Sequence, residues 1–255
     1  EGNKALSNAT RSASAAITQP LPANAGMFDR LMNAGLKASA IRADEEAESK
    51  LLEAIKEAKK LLAQSDQLIA ARLALADVYL HQEKYIQAGA LYQQCLNMAR
   101  GQYGSESREY AHALHGAASV AFHQGKIGKA EPLIKEAIEI RKKLLDQRAH
   151  ELGESYIIKG VVAGAKGWSE EAHSDLQQGL EILEASPGTR SLDLADALRE
   201  TALFYHSIGK RARSRDYFER SYSIKDKSVN FEQPPKIQGC IRFKWEDGSP
   251  RSQEF

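Results

Sequence analysis

One recurrence constrains this chain more than any other feature: a fixed set of small residues returns every 42 positions. The turns Glu83-Lys84, Gly125-Lys126, Gly167-Trp168 and Gly209-Lys210 begin at 83, 125, 167 and 209, so each follows the last by 42. Seven residues before each turn lies Ala76, Ala118, Gly160 or Ala202. Five residues after it comes Ala88, Ala130, Ala172 or Ser214, and twelve after it Cys95, Ala137, Gly179 or Ser221. Large residues stand between and beside the last two columns: Tyr92, Ile134, Leu176 and Phe218, then Leu96, Ile138, Leu180 and Tyr222. Apolar residues run at helical spacing on both sides of the turn, as in Leu114, Ala118 and Ala121 followed by Ala130, Leu133, Ile134, Ala137 and Ile138. Two amphipathic helices joined by a short turn have this pattern. Small residues let the helices approach closely, and the large ones fill the space between them.

An earlier copy is one residue shorter. Ala47, Leu51, Ala54 and Ile55 sit 41 positions before Ala88, Tyr92, Cys95 and Leu96. The chain therefore reads as all-α, with about five helix pairs over residues 27–226. Residues 1–26, polar and small with Pro20 and Pro22, read as an extended leader. Residues 227–255 read as a non-helical or strand-like tail, because Ile241, Phe243 and Trp245 alternate with Arg242 and Lys244. A stack of repeats needs its last apolar face covered, and the tail is expected either to cover it or to act as an arm that recognises a partner.

The turn glycines, the small columns and the residues Tyr85 and Ile127 after the turn resemble the tetratricopeptide repeat (TPR) family, whose minimal unit is shorter. The 42-residue period is similar to that of kinesin light chains and their bacterial relatives. The resemblance implies a right-handed superhelix whose concave groove is lined by the first helix of each pair. On that basis the groove stripe is Ala70, Leu73, Asp77, Leu80 and His81 in the second pair and His112, His115, Ser119, Phe122 and His123 in the third. It continues with Glu154, Ile157, Val161, Gly164 and Ala165, then with Asp196, Arg199, Leu203, His206 and Ser207. The residues expected to contact a bound peptide are Asp77, His81, His112, His115, Ser119, Phe122, His123, Glu154, Arg199 and His206. Groove TPRs that clamp a terminal carboxylate carry Lys and Asn where this chain has Leu73 with Asp77 and His115 with Ser119, so a chaperone tail is disfavoured.

Five of the seven histidines fall on this stripe. Half-exposed groove positions tolerate imidazole without any special role; the alternative is a direct part in peptide binding with a pH response. A metal site is disfavoured: His112 and His115 could share an ion, but His123 lies about 12 Å further along the helix axis at about 1.5 Å per residue, and His81 is one repeat away from it. No metal and no cofactor are expected. A Gly-rich phosphate loop, a nucleophile elbow and a paired-histidine zinc helix are all missing from the sequence, so no enzymatic activity is expected. Cys95 stands in a packing column and reads as a buried thiol; Cys240 in the tail reads as exposed.

Lys plus Arg number 35 against 34 Asp plus Glu, which leaves no global basic field to attract nucleic acid. The local run Lys210 to Arg220 carries Arg211, Arg213, Arg215 and Arg220 and reads first as a solvated face, second as a patch for an acidic partner or nucleic acid. No apolar run approaches the roughly 20 residues that span a bilayer. The expected role is a non-enzymatic interaction module that binds a peptide or protein segment in its groove. The second reading is a self-associating scaffold whose terminal segment fills the groove or caps the stack.

Overall fold

A computed structural model describes residues 26–60, 66–147, 149–186 and 191–228, and within them every regular element is a helix. In chain order these are α1 Met27–Ala40, α2 Asp44–Lys60, α3 Asp66–His81, α4 Tyr85–Tyr103, α5 Arg108–His123, α6 Ile127–Leu144, α7 His150–Ala165, α8 Ser169–Ala185, α9 Ser191–Ser207 and α10 Arg211–Ser228. Each odd helix packs on the even helix that follows it, and each even helix on the next odd one. Odd helices also touch one another from pair to pair. The result is a helical repeat array with the odd helices forming one layer. The expectations for the leader, for the tail strand and for Cys240 fall on residues outside those described.

All five turns within pairs share one backbone solution. The residue after the helix takes positive φ at Arg42 (58°), Glu83 (59°), Gly125 (72°), Gly167 (81°) and Gly209 (75°). Around each, the next amide donates to the carbonyl five residues back: Ala43 to Ala38, Lys84 to Tyr79, Lys126 to Ala121, Trp168 to Ala163 and Lys210 to Tyr205, at 2.8 to 3.0 Å. This is the Schellman ending, which favours glycine at its left-handed residue. The periodic glycine of the last three pairs thus has a backbone cause, and Arg42 and Glu83 hold the same position without that freedom.

The small columns lie at the helix contacts. Ala76, Ala118, Ala202, Ala88, Ala130, Ala172, Cys95 and Ala137 are each 0% exposed. Where the column is glycine, the approach is closer still: a Cβ on Gly160 would stand 2.7 Å from Leu176 Cγ, and one on Gly179 would stand 2.9 Å from the Gly153 carbonyl oxygen. Gly35, 41 residues before Ala76, fills the same role in the first pair, with Leu51 Cγ 2.7 Å from its virtual Cβ. Tyr92, Ile134, Leu176 and Leu51 of the large column are fully buried. Phe218 and Tyr222 of the fifth pair are only half-buried and stack on each other. Three overlapping apolar clusters run along the chain, each spanning neighbouring pairs, which is the nearest-neighbour packing of a solenoid.

Cys95 is buried, and that burial pushes its thiol up to about 12. It is a packing residue. No helix among the described residues is long and apolar enough to cross a membrane.

Candidate functional site

The polar groups that share the odd-helix layer meet in the middle of the array. Asp77 on α3 accepts a hydrogen bond from the Tyr92 hydroxyl at 2.6 Å and lies 3.1 Å from His112 Nε2 on α5. The His112 and Asp77 side chains are 38% and 33% exposed, so this buttressed pair still faces solvent. Burial works against charge on both. For Asp77 it is outweighed by the charge and hydrogen bond of His112 and by the Tyr92 hydroxyl, and the carboxyl pKa falls. For His112 the Asp77 carboxylate outweighs burial and raises the ring. The pair is therefore an ion pair across a wider pH range than either group alone would allow.

One turn further along α5, His115 lies 3.4 Å from Ser155 Oγ on α7 through Nδ1. Ser155 in turn accepts from Arg141 at 2.6 Å, and Arg141 also donates to the Glu151 carbonyl oxygen. Burial, with the Arg141 charge behind it, holds His115 well below its ordinary range, so this ring is neutral. Glu154, half-buried on α7, adds its negative field to His112 and Arg141.

A second set crosses from one end of the array to the other. Arg42, in the first turn, forms ion pairs with Asp196 on α9 and, at 3.8 Å, with Asp193. Lys225 on α10 reaches Asp196 at 2.9 Å. His81 sits nearby with its Nδ1 buried and without a hydrogen-bond partner among the described residues. Burial first and the Arg42 charge second lower it to about 4. His123 stacks on Tyr85 with ring centroids 5.1 Å apart, and burial together with Arg199 lowers its pKa. Arg199 pairs with Glu200 at 2.7 Å. The turn of the first pair and the first helix of the fifth are thus tied together, and α3, α5 and α7 lie between them in the chain.

Of the ten residues expected to contact a peptide, Asp77, His81, His112, His115, His123, Glu154 and Arg199 are half-buried and His206 is exposed. Ser119 and Phe122 are buried, at 2% and 8% exposure, as are Leu73, Ile157 and Val161 of the same stripe. Ser119 donates to the His115 carbonyl oxygen, and Phe122 packs into the cluster with Ile157 and Val161. On α5 and α7 the central stripe residues Ser119, Ile157 and Val161 are covered, while His112, His115 and Glu154 toward the helix starts stay partly open. His112 and His115 are brought near Asp77 and Ser155; His123 and His206 stand apart from that cluster. Among the described residues, no three His, Cys, Asp or Glu side chains converge as metal ligands would.

Sequence reading missed Arg42, Arg141, Ser155 and the hydroxyl of Tyr92. Tyr92 stood in a packing column, where its ring does sit, but the chemistry is at its tip. Arg141 lies in the last turn of an even helix, off the stripe. Its only signal was an arginine at a position that helical spacing places on the buried face.

Residues 66–143 match the family model described as a tetratricopeptide repeat. No curated protein matches the chain in sequence. Several solved structures share its fold at low identity. The kinesin-light-chain TPR-like repeats of Podosopora anserina are 19% identical over 80% of this chain and 97% of that one, with a TM-score of 0.54. BtubC (BKLC) from P. vanneervenii is 19% identical over 93% and 96%, with a TM-score of 0.55. The Rap conjugation gene regulator of plasmid pLS20, solved in complex with a Phr peptide, is 14% identical over 90% and 72%, with a TM-score of 0.59. Residues 66–143 thus carry tetratricopeptide repeats, and the chain has the helical-repeat fold of the kinesin-light-chain type.

Proposed function

We propose that the chain is a non-enzymatic interaction module that takes an extended or helical peptide segment of a partner protein against the odd-helix face. The observation that carries this reading is the Asp77–His112 pair. It is solvent-facing, buttressed from behind by Tyr92, and flanked by His115 and Glu154 on the same face. A fixed donor and acceptor array suits recognition of peptide backbone and polar side chains. A protein of similar fold holds a peptide. The contact set is Asp77, His81, His112, His115, His123, Glu154, Arg199 and His206, with Ser119 and Phe122 as the packed support beneath it.

Peptide display on the immobilised full chain, followed by calorimetry of the selected peptides, tests this reading. Binding should weaken by about tenfold or more in Asp77→Asn with His112→Ala, in line with the loss of a preorganised charge-assisted pair. Phe122 is left alone in this variant, because truncating a buried ring would confound binding with stability. Selected peptides that bind the variant as tightly as the parent would overturn the assignment.

A further inference from the structure

A cavity of about 340 Å³ opens between α8 and α10, beside the end of α9, lined by His173, Gln177, Tyr205, Arg213, Tyr217 and Arg220, with Asp216 at its edge. Tyr205 and Tyr217 stack with centroids 5.4 Å apart and planes 1° from parallel. The Arg213 guanidinium lies over the Tyr205 ring at 5.6 Å, and that of Arg220 over the Tyr217 ring at 5.9 Å. The tyrosine hydroxyls are engaged: that of Tyr205 lies 2.6 Å from His173 Nδ1, and that of Tyr217 accepts from Gln177 at 2.7 Å. Rings, hydroxyls and guanidinium faces are therefore held in place before anything binds.

The preceding junction supplies an internal comparison. Forty-two residues earlier, the positions of His173, Gln177, Arg213 and Tyr217 are held by Glu131, Lys135, Glu171 and Asp175. There Glu131 accepts from Lys135 and from Lys166, each at 2.6 Å, and Asp175 from Lys159 at 2.7 Å. That junction is acidic and internally paired. At the last junction those three acids are replaced by His173, Arg213 and Tyr217, and Arg220 joins them, with Asp216 and Glu184 at the border. Arg220 is paired with Glu184, while Arg213 is in no ion pair among the described residues. A guanidinium stacked on an aromatic face keeps its N–H edge for an anion, and five donors let Arg220 share itself between Glu184 and a second carboxylate.

We propose that this cavity is a second binding site that seats an acidic side chain from a peptide segment of a partner protein, its carboxylate between Arg213 and Arg220. Nucleic acid fits less well. A single strand needs a basic groove that follows its backbone, whereas here Asp216 and Glu184 border the two guanidiniums. The site lies away from the Asp77–His112 face and does not depend on it.

The test uses the full chain and fluorescence anisotropy of a labelled peptide, Glu-Asp-Phe-Glu-Asp, against its uncharged counterpart Gln-Asn-Phe-Gln-Asn. Saturable binding of the acidic peptide is expected, weakened about tenfold or more by Arg213→Gln with Arg220→Gln. The surface control Lys126→Gln with Lys129→Gln should leave it unchanged. Both arginines are surface groups, and an unchanged circular dichroism melt would show that the double variant still folds. Equal binding of the uncharged peptide would overturn the proposal, as would an equal loss in the lysine control. Tighter binding of a single-stranded oligonucleotide, or no saturable binding at all, would also overturn it.

Discussion

Adding one methyl group at Gly116 should damage both the packing and the site. Gly116 lies in the middle of α5, and a Cβ there would stand 2.2 Å from Cε1 and Cζ of Tyr92, a ring that is 0% exposed and has nowhere to retreat. Replacing a mid-helix glycine by alanine ordinarily stabilises by about 1 kcal/mol. Against that stand overpacking at about 1–3 kcal/mol and loss of the Tyr92–Asp77 hydrogen bond, a charge-assisted one of about 1.5–3 kcal/mol. The net expectation for Gly116→Ala is a loss of about 2–4 kcal/mol, or roughly 4–16 °C in Tm at 2–4 °C per kcal/mol for a chain of this size. Urea denaturation followed by circular dichroism reads the first number, and a thermal melt the second. The double variant Gly116→Ala with Tyr92→Leu should recover much of the packing loss, because Leu51 and Ala74 occupy the equivalent positions in the preceding junction. A double-mutant cycle should then give a coupling of at least about 1 kcal/mol. If Gly116→Ala alone stabilises the chain by its helix propensity, the ring does not lie where this account places it.

Three further expectations follow from single residues. Glu83→Gly should stabilise by about 1 kcal/mol, because Glu83 holds the positive φ of 59° that glycine holds in the three later turns; an unchanged urea midpoint would contradict this. Stability should fall on acidification from about pH 6.5 towards 4, since the folded state keeps His81 (lowered to about 4), His115 and His123 neutral while the unfolded chain takes up protons. His112, raised by Asp77, acts the other way and contributes stability below about pH 6.5 that is lost as pH climbs through its folded value. His81→Gln should therefore flatten the acid limb of a Tm-against-pH curve, and a curve of unchanged slope would refute the assignment. Arg42→Gln should cost no more than about 1 kcal/mol, as partly exposed ion pairs do, yet it should lower hydrogen-exchange protection in the first two turns of α9, where Asp193 and Asp196 lose their tie to the first turn of the array.

Much of the fold was legible because a repeat states its packing several times over. The columns of Ala88, Ala130 and Ala172, or of Leu51, Tyr92, Ile134 and Leu176, can be read without coordinates because each copy confirms the others, and all of these residues are buried. The site was less legible for the opposite reason. Function sits where the copies differ, and one sequence offers each difference once. The stripe inherited from the family placed Asp77, His112 and His115 on a shared face, yet it could not tell that successive odd helices close over Ser119 and Phe122. That depends on how tightly the helices cross, which Gly116 and Tyr92 help to set. The Arg42–Asp196 contact joins residues 154 apart and is decided by the accumulated curvature of four junctions, which no local pattern reports. The cavity at the last junction became visible only when aligned positions were compared in space.

Photocrosslinking with a display-selected peptide tests the central claim most directly. A benzophenone-bearing peptide would be bound to the full chain, irradiated, and its attachment points mapped by mass spectrometry. Crosslinks concentrated on α3, α5 and α7 near Asp77, His112, His115 and Glu154, and abolished by unlabelled peptide, are the predicted result. Competed crosslinks confined to the even helices α4, α6 and α8 would contradict the account and move recognition to the other face of the array.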